Sequence, residues 1–118
     1  MHETSIAEAL FEQVRRHTPP GHYAVIARVE AGPYQAINPQ ALEWAWQIVT
    51  GDSELAHTKL EYRALPFEYA CARCGKTWTG ADPLALCPCG NEPRVSGSYD
   101  LRLVSMEVET LEAPVTTA

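Results

Sequence analysis

The sequence contains no uninterrupted apolar run approaching the roughly 20 residues that a membrane-spanning helix needs. Its first twenty residues carry Glu3, Glu8, Glu12, Arg15 and Arg16 instead of a continuous apolar stretch, so they do not read as a secretory signal. A cytoplasmic chain with no membrane partner is the expectation. Positive charge is scarce as well. Nine Lys and Arg stand against fifteen Asp and Glu, a net charge of −6 that repels nucleic-acid phosphates. There is no Gly-rich phosphate loop, so the chain is not expected to hydrolyse nucleotide. No internal repeat or low-complexity segment appears, and no nucleophile–base pair stands out that would make the protein an enzyme.

What is present fits one compact core with a small appendage: 118 residues, 46% of them apolar, too many for a disordered tail. Over residues 5–16, Ile6, Ala7, Leu10, Phe11 and Val14 recur at three- and four-residue spacing, the stripe of an amphipathic helix. Ser5 and Glu8 stand in capping-box register, which sets the start of that helix near residue 5, and Pro19-Pro20-Gly21 stops it. Tyr23, Val25, Ala27 and Val29 then alternate with more polar neighbours, giving a strand ended by Gly32-Pro33. Asn38-Pro39 reads as an N-cap followed by proline at the first helical position, with Leu42, Ala45, Trp46 and Val49 as the buried face and Gly51 as the stop. Thr58, Leu60 and Tyr62 form a second alternating strand that ends near Pro66. In the last strand Tyr99, Leu101 and Leu103 alternate before the phase shifts to Met106 and Val108, the mark of a bulge. The expected class is α+β, two helices packed on a small three-stranded sheet with an inserted zinc-ribbon-like module. The expected division is 1–69 plus 97–112 as one domain, 70–96 as a cysteine-bearing domain, and 113–118 as a frayed tail.

All four cysteines fall in that insert, as Cys71-Ala-Arg-Cys74 and Cys87-Pro-Cys89-Gly. In a reducing compartment such a cluster reads as metal ligands rather than disulfides. Two cysteines separated by two residues can turn their sulfurs toward one ion, and a second pair about a dozen residues on completes a tetrahedron with no open position. That is the pattern of structural Zn(II). A segment of about 27 residues cannot bury enough apolar surface to fold alone, so metal binding supplies its stability. The second pair is one residue shorter than the usual Cys-x-x-Cys, a strained link that leaves room for a substitute ligand such as His57. A redox-switched thiol cluster and an iron–sulfur site are the rival readings.

The beginning, Met1-His2-Glu3, offers different chemistry. A free terminal amine, the backbone nitrogens of residues 2 and 3 and an imidazole can encircle one ion in a plane, a geometry that suits Ni(II) or Cu(II) better than zinc. Glu3 supplies a carboxylate beside the imidazole. Taken by position alone, His2 is more simply a solvated terminal residue.

Met1-His2-Glu3 leading into an Ile/Leu-striped helix resembles the HypA family of hydrogenase and urease nickel-incorporation proteins. So do the later Cys-x-x-Cys…Cys module, Ser96-Gly97 and the closing Ser105-Met106-Glu107-Val108-Glu109. The resemblance spans about residues 1–110. It implies a metallochaperone with a nickel-binding α/β domain and a four-cysteine zinc domain, working with a GTPase partner and docking on the hydrogenase large-subunit precursor. Carried across, the nickel ligands are His2 with the amide nitrogens of His2 and Glu3, beside the amine of Met1 and the Glu3 carboxylate. The zinc ligands are Cys71, Cys74, Cys87 and Cys89. Thr4 stands where the family usually has an apolar residue.

The remaining candidates take plain readings. His17 complements the C-terminal end of the first helix; His22 and His57 sit at strand starts on the surface. Trp46 lies on the buried stripe, Trp44 off it as a candidate docking residue, and Trp78 in the cysteine segment. Glu107, Glu109 and Glu112 form a solvated strand face. Two other functional classes stay open: a zinc-ribbon module binding protein or nucleic acid, and a thiol-switched accessory protein. For nucleic acid the electrostatics are poor, with +1 over residues 70–96 against −7 for the remainder.

Overall fold

The structure is a computed structural model that describes residues 2–111. The chain runs α1 (His2–His17), β1 (His22–Ala31), a 3-10 turn (Pro33–Gln35), α2 (Pro39–Thr50), β2 (Lys59–Ala64), β3 (Phe67–Ala70), β4 (Thr77–Gly80), β5 (Arg94–Ser96) and β6 (Leu101–Thr110). The expected roles of Met1, Glu112 and the tail 113–118 lie outside the described residues. No helix among the described residues is long and apolar enough to cross a membrane.

Each helix forms because its apolar residues fall on one stripe. Ile6, Ala7, Leu10 and Val14 of α1 and Leu42, Ala45 and Trp46 of α2 are buried together in one core. The N-terminus of α2 is as the sequence indicates: Asn38 Oδ1 accepts the Ala41 N–H at 3.0 Å, and Pro39 follows at the first helical position. Its C-terminus is different. Gly51 keeps right-handed helical angles (φ −53°), so it is no left-handed cap; Ser53 closes the end, its N–H and hydroxyl both donating to the Thr50 carbonyl.

Helix α1 departs from expectation at its start. It begins at His2, not near Ser5, which sits exposed inside the helix. Contacts to another part of the chain override the local capping signal. His2 Nε2 lies 3.0 Å from the Gln35 carbonyl oxygen, and the Glu3 carboxylate accepts the Asn38 N–H at 3.2 Å. Both partners belong to the 33–38 connection, so the first turn is tied down from outside. An acidic residue in a first turn is also favoured by the helix dipole.

The two helices cover a sheet of order β2-β1-β6, with β1 and β2 parallel and β1 and β6 antiparallel. A parallel neighbour requires a crossover, and α2 supplies it. The phase of β1 differs from simple alternation: Ala24, Ala27, Val29 and Ala31 are buried and Tyr23 is exposed. Register explains the change. Ala24 pairs with Val108 and Ile26 with Glu107, so Val25 is an extra residue that flips the upstream half. A second irregularity leaves Val104 unmatched between Leu103 and Ser105, which is the bulge expected in the last strand. The core is stitched to the sheet by buried polar bonds: Trp46 Nε1 donates to the Thr58 carbonyl at 2.9 Å, and the Thr58 hydroxyl donates to the Ala24 carbonyl at 2.8 Å. On the open face, Arg28 pairs with Glu61 and Glu107, and Arg63 with Glu30; Glu107 and Glu109 are exposed there, as expected.

Strands β3, β4 and β5 form a second antiparallel sheet of order β4-β3-β5. Phe67 and Tyr69 are buried, and Tyr69 stacks on Trp78 at 5.0 Å. The two sheets meet through aromatic rings. Tyr34 stands edge-on to Phe67 at 5.0 Å and stacks on Tyr99 at 4.7 Å. Here the backbone approaches closely: a Cβ on Gly32 would stand 2.0 Å from the Ser98 carbonyl oxygen. Gly32→Ala is therefore expected to destabilise the protein by about 1–3 kcal/mol, read as a lower urea midpoint; an unchanged midpoint would show that this junction is looser than described.

Candidate metal centres

The β3–β4 hairpin carries Cys71 and Cys74, and the β4–β5 connection carries Cys87 and Cys89. Each pair sits in a tight turn closed by backbone bonds. The Gly75 N–H donates to the Cys71 carbonyl and the Gly90 N–H to the Cys87 carbonyl, both at 2.8 Å. Gly75 (φ +78°) and Gly90 (φ +92°) take the left-handed angles that these turns demand. The contracted Cys87-Pro88-Cys89 link thus reaches the same place as the longer pair.

The four Sγ atoms lie within 4.8 Å of one another, with Cys71–Cys89 at 3.6 Å and Cys74–Cys87 at 3.4 Å. These are free thiols, far beyond the roughly 2.05 Å of a disulfide. Four sulfurs about 2.3 Å from a central Zn(II) would be separated by about 3.8 Å, so the donor set fits a tetrahedral ion of that size. His57 is exposed in the turn that precedes β2 and is not among the clustered ligands, so it is no substitute for Cys89.

The thiols are electrostatically unequal. The Asn91 side-chain N–H, 3.3 Å from Cys89 Sγ, is the main cause that brings Cys89 down to about 6. At Cys71 the Cys74 backbone N–H is the largest influence, and the pKa is lowered. Cys87 is pushed up to about 12: the backbone N–H of Cys89 pulls it down, but burial and the neighbouring thiols together outweigh that pull. The sequence reading missed Asn91, because an asparagine after Cys-Gly looks like any turn residue. Metal-free protein at pH 7 should therefore be alkylated by iodoacetamide at Cys89 well before Cys87, as peptide mass spectrometry would reveal. Equal rates would contradict this ordering.

The N-terminal residues form the second cluster. The structure places His2 and Glu3 side by side in the first turn of α1, against Gln35 and Asn38. Accepting the Asn38 N–H, its largest influence, holds the Glu3 carboxyl below the ordinary carboxylate range. The amide nitrogens of His2 and Glu3 belong to the first four of the helix, which have no acceptor in the helical ladder. Of the other candidates, His17 Nδ1 lies 2.8 Å from the Gln13 carbonyl at the end of α1. Trp46 is buried, Trp44 is 62% exposed on the outer face of α2, and Trp78 lies on β4.

Comparison with known proteins identifies the family. A family model described as "Hydrogenase/urease nickel incorporation, metallochaperone, hypA" matches residues 1–108. The hydrogenase maturation factor HypA of Albidiferax ferrireducens is 31% identical over 113 residues, covering 92% of this chain and all of that protein. That of Archaeoglobus fulgidus is 30% identical over 111 residues, covering 92% and 99%. The fold is similar to the solution structure of the Ni metallochaperone HypA from Helicobacter pylori, with a TM-score of 0.59 at 19% identity over 91% of this chain and 97% of that one. A further solution structure of a HypA protein gives a TM-score of 0.61 over 95% and 98%. The chain belongs to the HypA family of hydrogenase/urease nickel-incorporation metallochaperones.

Proposed function

We propose that this protein takes Ni(II) as cargo at its N-terminus and holds Zn(II) as a resident structural ion at Cys71, Cys74, Cys87 and Cys89. The nickel ligands are the Met1 amine, the amide nitrogens of His2 and Glu3, and the His2 imidazole, with the Glu3 carboxylate beside them. The observation that carries the reading is the seat of His2 and Glu3 at the very start of α1, where their amides have no helical acceptor. A nitrogen-only plane is the donor set that favours Ni(II) over zinc. The four thiols saturate a tetrahedral ion and leave no place for a substrate, so zinc there is structural and the protein is not an enzyme.

The cargo is handed to the large-subunit precursor of a [NiFe] hydrogenase, or to urease, in concert with a GTPase partner in the cytoplasm. Domain roles follow from the same reading: residues 1–69 with 97–112 carry nickel, and 70–96 carry zinc. Release has a simple driving force. Nickel must displace protons from amide and imidazole nitrogens, so acidification favours the proton and weakens binding.

Metal analysis should find about one zinc per chain, retained when nickel is removed by mild chelation. His2→Ala should abolish nickel binding in calorimetric titration while leaving the circular dichroism spectrum and the zinc content unchanged. One extra residue ahead of Met1 should also weaken binding at least tenfold, because it displaces the amine. Full nickel affinity in both variants would overturn the assignment. Stripping the zinc should raise amide exchange in β3, β4 and β5 while the β2-β1-β6 sheet stays protected; uniform protection would argue against a stabilising ion.

A further inference from the structure

The His2 imidazole has one nitrogen engaged before any metal arrives. Its Nε2 lies 3.0 Å from the Gln35 carbonyl oxygen. A carbonyl can only accept, so the neutral ring that makes this bond carries its proton on Nε2 and leaves the Nδ1 lone pair bare. Chelation demands that same arrangement. Nδ1 closes a six-membered ring with the residue's own backbone nitrogen, whereas Nε2, on the far side of the imidazole, cannot reach an ion held by that nitrogen.

The Gln35 carbonyl is aimed by its surroundings. The Ala36 N–H donates to the Pro33 carbonyl at 3.3 Å, and in a planar trans peptide the Gln35 C=O must point the opposite way, out of the turn. Ala36 closes the turn at φ +50°, the left-handed conformation, and is the one non-glycine residue with positive φ among those described. A side chain rarely adopts those angles unless its surroundings impose them. They are imposed here: the Gln35 side-chain amide donates to the Tyr99 carbonyl, and Tyr34 is stacked on Tyr99. Two residues further on, the Asn38 N–H holds the Glu3 carboxylate.

We propose that the Pro33–Gln35 turn, closed by the left-handed Ala36, is a positioning platform for the nickel site: the Gln35 carbonyl locks His2 as the Nε2–H tautomer and so presents Nδ1 to the metal. The proposal rests on the reading of His2 as a nickel ligand. A hydrogen bond from the non-ligating ring nitrogen also makes the ligating nitrogen more basic, and loss of such an outer contact typically costs 10–100-fold in metal affinity.

Long-range proton–nitrogen NMR of zinc-loaded full-length protein, with a native N-terminus and no nickel, reads the tautomer directly. His2 should show a protonated Nε2 and an unprotonated Nδ1 at pH 7.5. Ala36→Gly tolerates left-handed angles and should keep both tautomer and nickel affinity. Ala36→Pro cannot adopt positive φ and removes the bond to Pro33, so it should mix the tautomers and weaken nickel binding 10–100-fold, with the absorption of planar nickel retained. Should that variant misfold, semisynthetic protein with an ester in place of the Gln35–Ala36 amide removes the Ala36 N–H and weakens the Gln35 carbonyl as an acceptor without changing any side chain, and should likewise mix the tautomers and weaken nickel binding. A proton found on Nδ1, equally populated tautomers in the wild type, or an unchanged tautomer and undiminished affinity in the ester protein would overturn the proposal. Nickel retained by His2→Ala would sink the ligand assignment instead, and would leave the tautomer measurement standing on its own.

Discussion

The second sheet depends on its sulfurs. Between Phe67 and Ser96 the buried apolar side chains are Phe67, Tyr69, Cys71 and Cys87, far too few to repay the entropy of ordering that much chain. Four thiols drawn within 4.8 Å of one another do not help by themselves, since thiolates so close repel. A central dication, as proposed for this site, would reverse the sign of that term and close this part of the fold with four strong bonds. The segment from β3 to β5 is built around this requirement: short strands, two left-handed glycine turns and few apolar anchors.

The first sheet is organised by burial, and the two regimes meet at the 32–38 connection. Gly32 lies against Ser98, Tyr34 against Phe67 and Tyr99, Gln35 against His2, and Asn38 against Glu3. One short connection therefore touches the start of α1, the cap of α2, the first residue of β3 and the approach to β6. In a chain of this size such crowding is economical, because seven residues fix four element ends.

Patterns confined to one element were readable in the sequence. The apolar stripes of both helices, the Asn38-Pro39 start of α2, the alternation of β2, the bulge in β6 and the four-cysteine cluster all appear as expected, because each is governed by spacing along the chain. What the sequence reading missed depends on distant partners. The start of α1 moved from Ser5 to His2 because Gln35 and Asn38 hold the first turn. The phase of β1 turned on an unmatched Val25 that only pairing with β6 creates, and Gly51 ends α2 without left-handed angles because Ser53 satisfies the carbonyl. At the candidate site the ligand types were legible but their supports, Gln35 and Asn91, were not, since neither belongs to a spacing pattern.

Helix α1 is an unbroken rod of 16 residues, about 24 Å from end to end. Its far end forms one wall of a cleft of about 500 Å³, where Arg15 and Thr18 stand beside Tyr23, Leu55 and Leu111. A rod of this kind passes axial displacement along its length almost undiminished. A slide of half an ångström would stretch the 3.0 Å contact between His2 and Gln35 to the limit of a hydrogen bond. Leverage of that sort makes the His2 end of the helix sensitive to whatever grips the molecule at its opposite end.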